Sequence, residues 1–425
     1  MKDGDAREGI LAGYRVIDLT DEKGLLCGKV LADYGADVIK VEPPGGSRAR
    51  DIGPFYKKTP HRNRSLFWFF TNSGKRSITL NLETADGREI FRQLVKTAHF
   101  VIESFAPGYL EKLGLGYADL KRINPGLVMT SITPFGQTGP YAHCEATDIT
   151  IAAMAGHMRL YGEPDRAPLR IGQPQAFFHG GVQGALGSMV AHYHRELTGE
   201  GQHVDVSCQQ ALILTLMQIA ETWDINKVNY RGGGAFSIYN RPAPLGRLYH
   251  RRIWACKDGH ICLLIGGGAA VGLRRSTEFV IRWANEEGYA LDLKDLDWAN
   301  FSFAMAPQDE WSVIEKALSA FLLTKTKNEL FEKAVSHSLM ICPVNMARDV
   351  LDDPHLKARN YWVDVEHEEL GESIRYPGAP FRSDDIPWRI GRRAPLVGEH
   401  NEEMYANELG ISRDRLAALK ARGVI

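Results

Sequence analysis

The residues best suited to chemistry are basic and lie in loops. Asn72-Ser-Gly-Lys75-Arg76-Ser77 precedes a short apolar run, and Arg48 and Arg50 follow the turn Pro43-Pro-Gly-Gly46. Clustered lysine and arginine at such loops suit phosphate groups, which accept charge-assisted hydrogen bonds, and they suit a solvated basic loop equally well. Pro107 begins a helix whose first N–H groups could meet an anion, and Phe105 just before it offers an aromatic face or a core side chain. Gly232-Gly-Gly234 and Gly266-Gly-Gly268 lack the Lys-Ser/Thr of a phosphate loop and the Gly-x-Gly-x-x-Gly spacing, so they read as flexible backbone. The six cysteines, Cys27, Cys144, Cys208, Cys256, Cys262 and Cys342, contain no Cys-x-x-Cys pair, which argues against a disulfide framework and a zinc ribbon. The 14 histidines show no ligand spacing, His192 and His194 reading as a partly exposed helix face, so no metal is expected.

The elements that would position these residues alternate along the first 140 or so positions. Tyr14–Leu19 reads as a buried strand, Cys27–Tyr34 as a helix closed by Gly35, and Ala36–Glu42 as the next strand. Ser77–Leu82, Phe100–Glu103 and Leu127–Ile132 read as further strands, with helices over Ala85–Ala98 and from Pro107 to Leu113. Such alternation predicts an α/β fold with a doubly wound, mostly parallel sheet, whose ligands lie beyond the carboxyl ends of its strands, near Thr20, Pro43, Ser104 and Thr133. A helical Gly- and Ala-rich stretch spans Ile149–Glu196, and the turn Thr198-Gly-Glu-Gly-Gln202 leads into one more strand. Ile253–Cys256 and Ile261–Ile265 flank Asp258-Gly259 as a hairpin, with helices near 273–287 and 310–323, and Ser412–Lys420 forms a closing polar helix. The expected layout is a large domain over 1–225, a linker at 226–245, a smaller α+β domain over 246–335, and a return to the large domain over 336–425.

With 425 residues, 44% hydrophobic and 24% charged, the chain is ordinary globular protein, long enough for two or three domains. Its 51 basic and 52 acidic residues give a formal net charge of −1, which supplies no global field for a nucleic-acid backbone. The alternating charges of Met1–Glu8 lack the apolar stretch of a signal peptide, and no run of eighteen apolar residues is present, so a cytoplasmic protein with no membrane partner is expected.

Six stretches occur in order: Gly35-Ala-Asp-Val-Ile-Lys-Val-Glu-Pro-Pro-Gly-Gly46, Gly74-Lys-Arg-Ser-Ile78, Glu103-Ser-Phe-Ala-Pro-Gly108, Leu113-Gly-Leu-Gly-Tyr117, Pro134-Phe-Gly-Gln-Thr-Gly-Pro140 and Thr198-Gly-Glu-Gly-Gln-His-Val-Asp205. Together they resemble the class III coenzyme A transferases, a family that includes formyl-CoA and carnitine CoA-transferases and 2-methylacyl-CoA racemase. The likeness returns near Cys342-Pro, Pro377–Phe381 and Leu396–His400, so it covers nearly the whole chain. It implies two interlocked ring-shaped protomers and CoA or acyl-CoA as substrate. It also implies adenine and phosphates near Lys75, Arg76, Ser104, Phe105 and Lys112.

The same resemblance exposes a departure. Family transferases carry an aspartate whose carboxylate attacks the acyl-CoA thioester, giving an anhydride and then an aspartyl-CoA thioester. Counting back from Thr198-Gly199 puts Phe177 at that position, in Pro174-Gln-Ala-Phe-Phe-His-Gly-Gly181, and no Asp or Glu occurs between Asp165 and Glu196. The racemase pattern asks for a histidine where Thr147 precedes Asp148. Some class III enzymes are built from two different subunits, and the chain is most similar to that branch, exemplified by the succinyl-CoA:benzylsuccinate transferases, one of whose subunits lacks the aspartate. The leading expectation is a non-nucleophilic subunit working with a paralogous partner that carries the aspartate. A CoA-thioester lyase or isomerase using Asp148 or His179 as base is a second reading. A CoA-thioester-binding homodimer without catalysis is a third.

Overall fold

The computed structural model describes residues 9–241, 244–302, 305–381 and 390–425, so Met1–Glu8 and part of the expected linker lie outside the described residues. Two compact units emerge, one made of residues 9–158, 170–229, 355–381 and 390–425, the other of 159–169 and the described part of 230–354.

The first unit is built on six strands: β1 (Arg15–Asp18), β2 (Asp37–Glu42), β3 (Arg76–Thr79), β4 (Phe100–Glu103), β5 (Val128–Thr133) and β6 (His203–Ser207). They pair in the order β3-β2-β1-β4-β5-β6, every neighbour parallel. The apolar runs are buried on both faces, as crossover helices require. Its first 229 residues also carry helices α1 (Leu25–Asp33), α2 (Leu66–Asn72), α3 (Ala85–Thr97), α4 (Tyr109–Lys112), α5 (Tyr117–Ile123), α6 (Asp148–Met154), α7 (Ala176–Thr198), α8 (Cys208–Ile213) and α9 (Ile219–Asn226). Alternate residues of each strand feed two cores: Ile17, Val101 and Met129 pack with α3 and α5, while Val16, Ile102 and Ile132 pack with α1 and α7.

Helix α7 carries glycines where its neighbours press closest. A Cβ at Gly181 would lie 2.9 Å from Leu26 Cβ of α1, and one at Gly180 would lie 2.5 Å from Cys208 Sγ. The close approach seats the start of α7 over the carboxyl end of β5.

In the second unit β7 (Phe236–Asn240) pairs with β8 (Arg247–Arg251), and β9 (Ile253–Cys256), β10 (Gly259–Leu263) and β11 (Ile341–Pro343) form an antiparallel sheet in the order β11-β10-β9. Helices α10 (Val271–Glu286), α11 (Gln308–Leu322) and α12 (Lys327–His337) close over a core rich in Trp254, Trp298, Trp311 and Phe321. The segment expected as a linker at 226–245 therefore contains strand β7, because its glycines flank an alternating run that β8 can pair. Strand β11, expected to belong to the returning segment, pairs with β10, so the second unit extends to residue 354 rather than 335.

The returning chain adds α13 (Ala347–Asp352) within the second unit, then α14 (Pro354–Ala358) and the hairpin β12 (Trp362–His367) and β13 (Glu372–Pro377), and ends in α15 (Arg413–Ala421), capped by Ser412. Its last stretch covers edge strand β3: His400 N–H donates to Ser77 O (2.9 Å), Thr79 N–H to Asn401 Oδ1 (2.9 Å) and Tyr405 OH to Thr79 O (2.6 Å). A sheet edge left open would be a template for unwanted pairing. Among the described residues, no helix is long and apolar enough to cross a membrane.

Candidate functional site

The strand order reverses direction between β1 and β4, and a crevice opens there beyond the strand ends. The ladder continues one bond past β1, with Leu19 N–H donating to Ile102 O (2.8 Å). Above it Asp21 N–H donates to Ser104 Oγ (2.8 Å), and the Ser104 hydroxyl donates back to Asp21 Oδ1 (2.7 Å). This reciprocal pair joins the two loops at the bottom of the crevice.

Two cavities flank the pair and share Phe105 as a wall. One, of about 420 Å³, lies over β1 to β3, with Lys40, Arg48, Asn81 and Tyr109 on its lining; the other, of about 280 Å³, is bounded by Lys23, Pro107 and His143. Phe105 is half-buried, its ring centroid 4.6 Å from that of Tyr109 and its side chain packed against the core under α3 and α5, and it lines both cavities. Arg48 is exposed at the rim, and Lys112, the last residue of α4, is exposed nearby in the chain.

Beneath the larger cavity lies a cluster of buried charge. Asp18, wholly buried, accepts from Lys75 Nζ on Oδ2 (2.8 Å) and from Lys40 Nζ (3.2 Å), Thr20 N–H (2.9 Å) and Thr20 OH (2.7 Å) on Oδ1. Lys75 gives its other protons to Leu25 O (2.8 Å) and Asn72 Oδ1 (3.1 Å); Lys40 also donates to Asp18 O (3.1 Å) and Thr20 O. Burial by itself would raise the Asp18 pKa, and the two lysines hold it below the usual carboxylate range. Burial pulls Lys75 down to about 8, against the attraction of Asp18. Gly28 of α1 leaves room for the pair: a Cβ there would sit 2.4 Å from Asp18 Oδ2.

Lys75 and Arg76 therefore stand elsewhere than the resemblance implied. Lys75 is fully buried and its three protons are taken; Arg76 is 2% exposed and pairs with Asp37 (2.6 Å), Glu403 (2.8 Å) and Glu408 (2.5 Å). The physical reason is register. Arg76 opens a strand buried on both faces, and Lys75 points back under α1, so neither ammonium nor guanidinium reaches the crevice. Arg50 is likewise sequestered, forking onto Glu42 at 2.7 Å through both Nε and an Nη and lying 3.8 Å over the Trp68 ring. Of the expected basic contacts, Arg48 and Lys112 remain exposed.

Glu103 shows the bland behaviour open to a strand-end carboxylate. It accepts from Phe105 N–H (2.7 Å) and is buried, which pushes its pKa up to about 7 in spite of that bond and one from Ser131. Sequence reading passed over Asp18 and Lys40 as chemistry. The signal available was a lysine in the middle of the apolar run Asp37-Val-Ile-Lys-Val-Glu, a position where an unpaired charge is not tolerated.

The position implied for the nucleophile lies in the first turn of α7. Phe177 is 8% exposed and packs into the core with Ile132, Ile151 and Cys208, while Phe178 stacks toward Phe67 at 6.4 Å. Phe177 N–H donates to Asp148 Oδ2 (3.2 Å), so the carboxylate of α6 satisfies the amide end of α7. Buried His157 is held below the ordinary histidine pKa by burial and by His179, with Asp148 pulling the other way, which places all three groups in one electrostatic neighbourhood. Among the described residues, no group of three or more His, Cys, Asp or Glu side chains is arranged to hold a metal ion.

Comparison with known proteins adds the following. Residues 11–401 match the family described as CoA-transferase family III. The chain is 36% identical to the BbsE subunit of the succinyl-CoA:(R)-benzylsuccinate CoA-transferase of Thauera aromatica, over 92% of each chain. It is 32% identical to a succinyl-CoA–D-citramalate CoA-transferase of Chloroflexus aurantiacus, over 95% of this chain and 94% of that one. The crystal structure of a CAIB/BAIF family protein from Brucella suis superposes with a TM-score of 0.80 at 28% identity, covering 94% of this chain and all of the other.

Proposed function

The chain belongs to CoA-transferase family III, and from that premise we propose that it is the non-nucleophilic subunit of a hetero-oligomeric, cytoplasmic enzyme that moves CoA between an acyl-CoA and a carboxylic acid. The observation that carries the reading is Phe177. Transfer through a covalent enzyme intermediate needs a carboxylate, and the first turn of α7 offers a phenyl ring packed into the core. A paralogous partner, interlocked with this chain, supplies the aspartate. The BbsE relative is itself named as a subunit, which supports the same reading, and its named substrates suggest succinyl-CoA and an aromatic succinate as the exchanging pair.

In this proposal CoA lies across the β1/β4 crevice. Phe105 stacks against the adenine, while Ser104, Arg48 and Lys112 meet its sugar and phosphates. Lys75 and Arg76 act from behind, holding the floor and the carboxyl-terminal segment. Calorimetry with CoA and the purified heteromer tests it: Phe105→Ala weakens binding in protein that is still folded at the assay temperature, whereas unchanged affinity would remove CoA from the crevice. Removing the partner's aspartate abolishes transfer.

One observation favours a second reading, proton transfer by a lyase or isomerase. Asp148 and His179 lie within electrostatic reach of His157 near the start of α7, and a carboxylate with two imidazoles is a workable acid–base set. Full activity of this chain as a pure homodimer, lost on His179→Gln, would move the assignment there.

A further inference from the structure

Two thiols face one another across the sheet of the second unit. In the antiparallel pairing of β10 with β11, Cys262 is the direct partner of Cys342. Both are free cysteines; Cys342 is exposed and Cys262 half-buried, while Ile261, Leu263 and Ile341, which alternate with them, point into the core. The two thiols therefore stand on the same outer face of the sheet, β11 being its edge strand.

Register fixes their separation. Val344 N–H donates to His260 O (2.9 Å) and Leu264 N–H to Met340 O (3.1 Å), so hydrogen-bonded pairs fall at 260/344 and 264/340. Alternation makes 262/342 hydrogen-bonded as well, and Pro343 occupies the intervening non-bonded site, where its missing N–H is harmless. Opposed residues in such a pair have Cα atoms about 5.5 Å apart, inside the span a disulfide bridges.

We propose that Cys262 and Cys342 form a dithiol site that closes to a cross-strand disulfide by exchange with a small-molecule disulfide and reopens under thiol reductant. The exposed Cys342 thiolate attacks the small disulfide, forming a mixed disulfide and releasing one thiolate. Cys262, its proton lost to solvent, attacks Cys342 Sγ, forming the protein S–S bond and releasing the second thiolate. Two protein thiols give up two electrons and two protons, and the small disulfide, reduced to two thiols, takes them. Closure ties β11 to β10 and encloses α10, α11 and α12 in one covalent loop, so the second unit resists unfolding more in the oxidised form. An exposed bridge of this kind is labile, as a reversible switch requires. The inference is independent of the transferase reading.

The test uses the full chain with oxidised glutathione, followed by alkylation of remaining thiols and non-reducing peptide mass spectrometry. The wild type is expected to yield a peptide crosslinked between 262 and 342, and Cys262→Ser to accumulate stable glutathione on Cys342. Phenylarsine oxide, which grips two neighbouring thiols, should block alkylation of both cysteines in the wild type and leave the one remaining cysteine of the pair open to alkylation in Cys262→Ser and in Cys342→Ser. Persistent glutathione on Cys342 of the wild type, or arsenical protection that survives either single substitution, would overturn the proposal.

Discussion

At the carboxyl ends of β1 and β2 the chain buries Asp18, Lys40, Glu42 and Arg50, with Lys75 reaching Asp18 from just before β3; at the first turn of α7 it buries Phe177 beside a half-buried Phe178. Sequestered charge is expensive unless each ion finds its partners, and here Asp18 receives two ammonium groups and Glu42 a bidentate guanidinium. The helix start is the place where a carboxylate would be welcomed by backbone dipoles, yet the only one reaching that amide, among the described contacts, comes from Asp148 of α6. Under the proposed division of labour, this chain keeps the paired-charge scaffold of the crevice and the covalent step falls to the partner.

The sharpest break of that comparison is chemical. Replacing the partner's aspartate by asparagine is expected to lower transfer at least about a thousandfold, whereas Phe177→Asp in this chain leaves an otherwise intact heteromer close to its starting rate. Rescue of an aspartate-free partner by Phe177→Asp would show that the first turn of α7 is still a competent catalytic position.

Next comes the cost of disturbing the charged floor. Asp18→Asn leaves Lys40 and Lys75 without a counter-ion in the interior and is expected to destabilise the protein by about 3–5 kcal/mol, read as a fall in the urea midpoint. Lys75→Ala should act in the same direction, through stability rather than through a lost phosphate contact. A midpoint unchanged in both variants would mean that the cluster is not structural.

Phe105→Ala is a smaller and more local change. Base–aromatic stacking contributes about 1–3 kcal/mol, so CoA affinity should fall roughly tenfold in protein that is still fully folded, with a fall in the urea midpoint smaller than that of Asp18→Asn. Smaller again is Glu103→Gln. The folded carboxyl titrates near 7 and its unfolded counterpart near 4.5, so the native state holds the extra proton between those values and its stability falls as pH rises through that window. The glutamine variant removes this slope: its stability relative to wild type should increase from pH 5 to pH 8 by on the order of 1–2 kcal/mol. Parallel curves would show that Glu103 is not protonated in the fold. Lys112→Ala, at an exposed site, should cost CoA binding about threefold, and less at high salt.

The alternation of short apolar runs with helices made the parallel sheet legible, since Asp37–Glu42, Phe100–Glu103 and Val128–Thr133 have no other way to bury both faces. The strand β7 was hidden because its flanking glycines and prolines resemble a connector until β8 is known to pair with it. At the site, Phe105 and Ser104 could be placed from their position after a strand. Lys75 and Arg76 could not, because loop composition does not say which way a side chain points: one is drawn under α1 by Asp18 and the other to the carboxyl-terminal segment by Glu403 and Glu408. Long-range ion pairing of that kind, over 57 residues for the first and 327 or more for the second, leaves no local trace in the sequence.

The division of labour is tested most directly by trapping. The purified heteromer turning over acyl-CoA is quenched with borohydride or hydroxylamine, and both chains are mapped by mass spectrometry. The account predicts modification of the partner's aspartate and none on any carboxylate of this chain. A covalent adduct on this chain would contradict it.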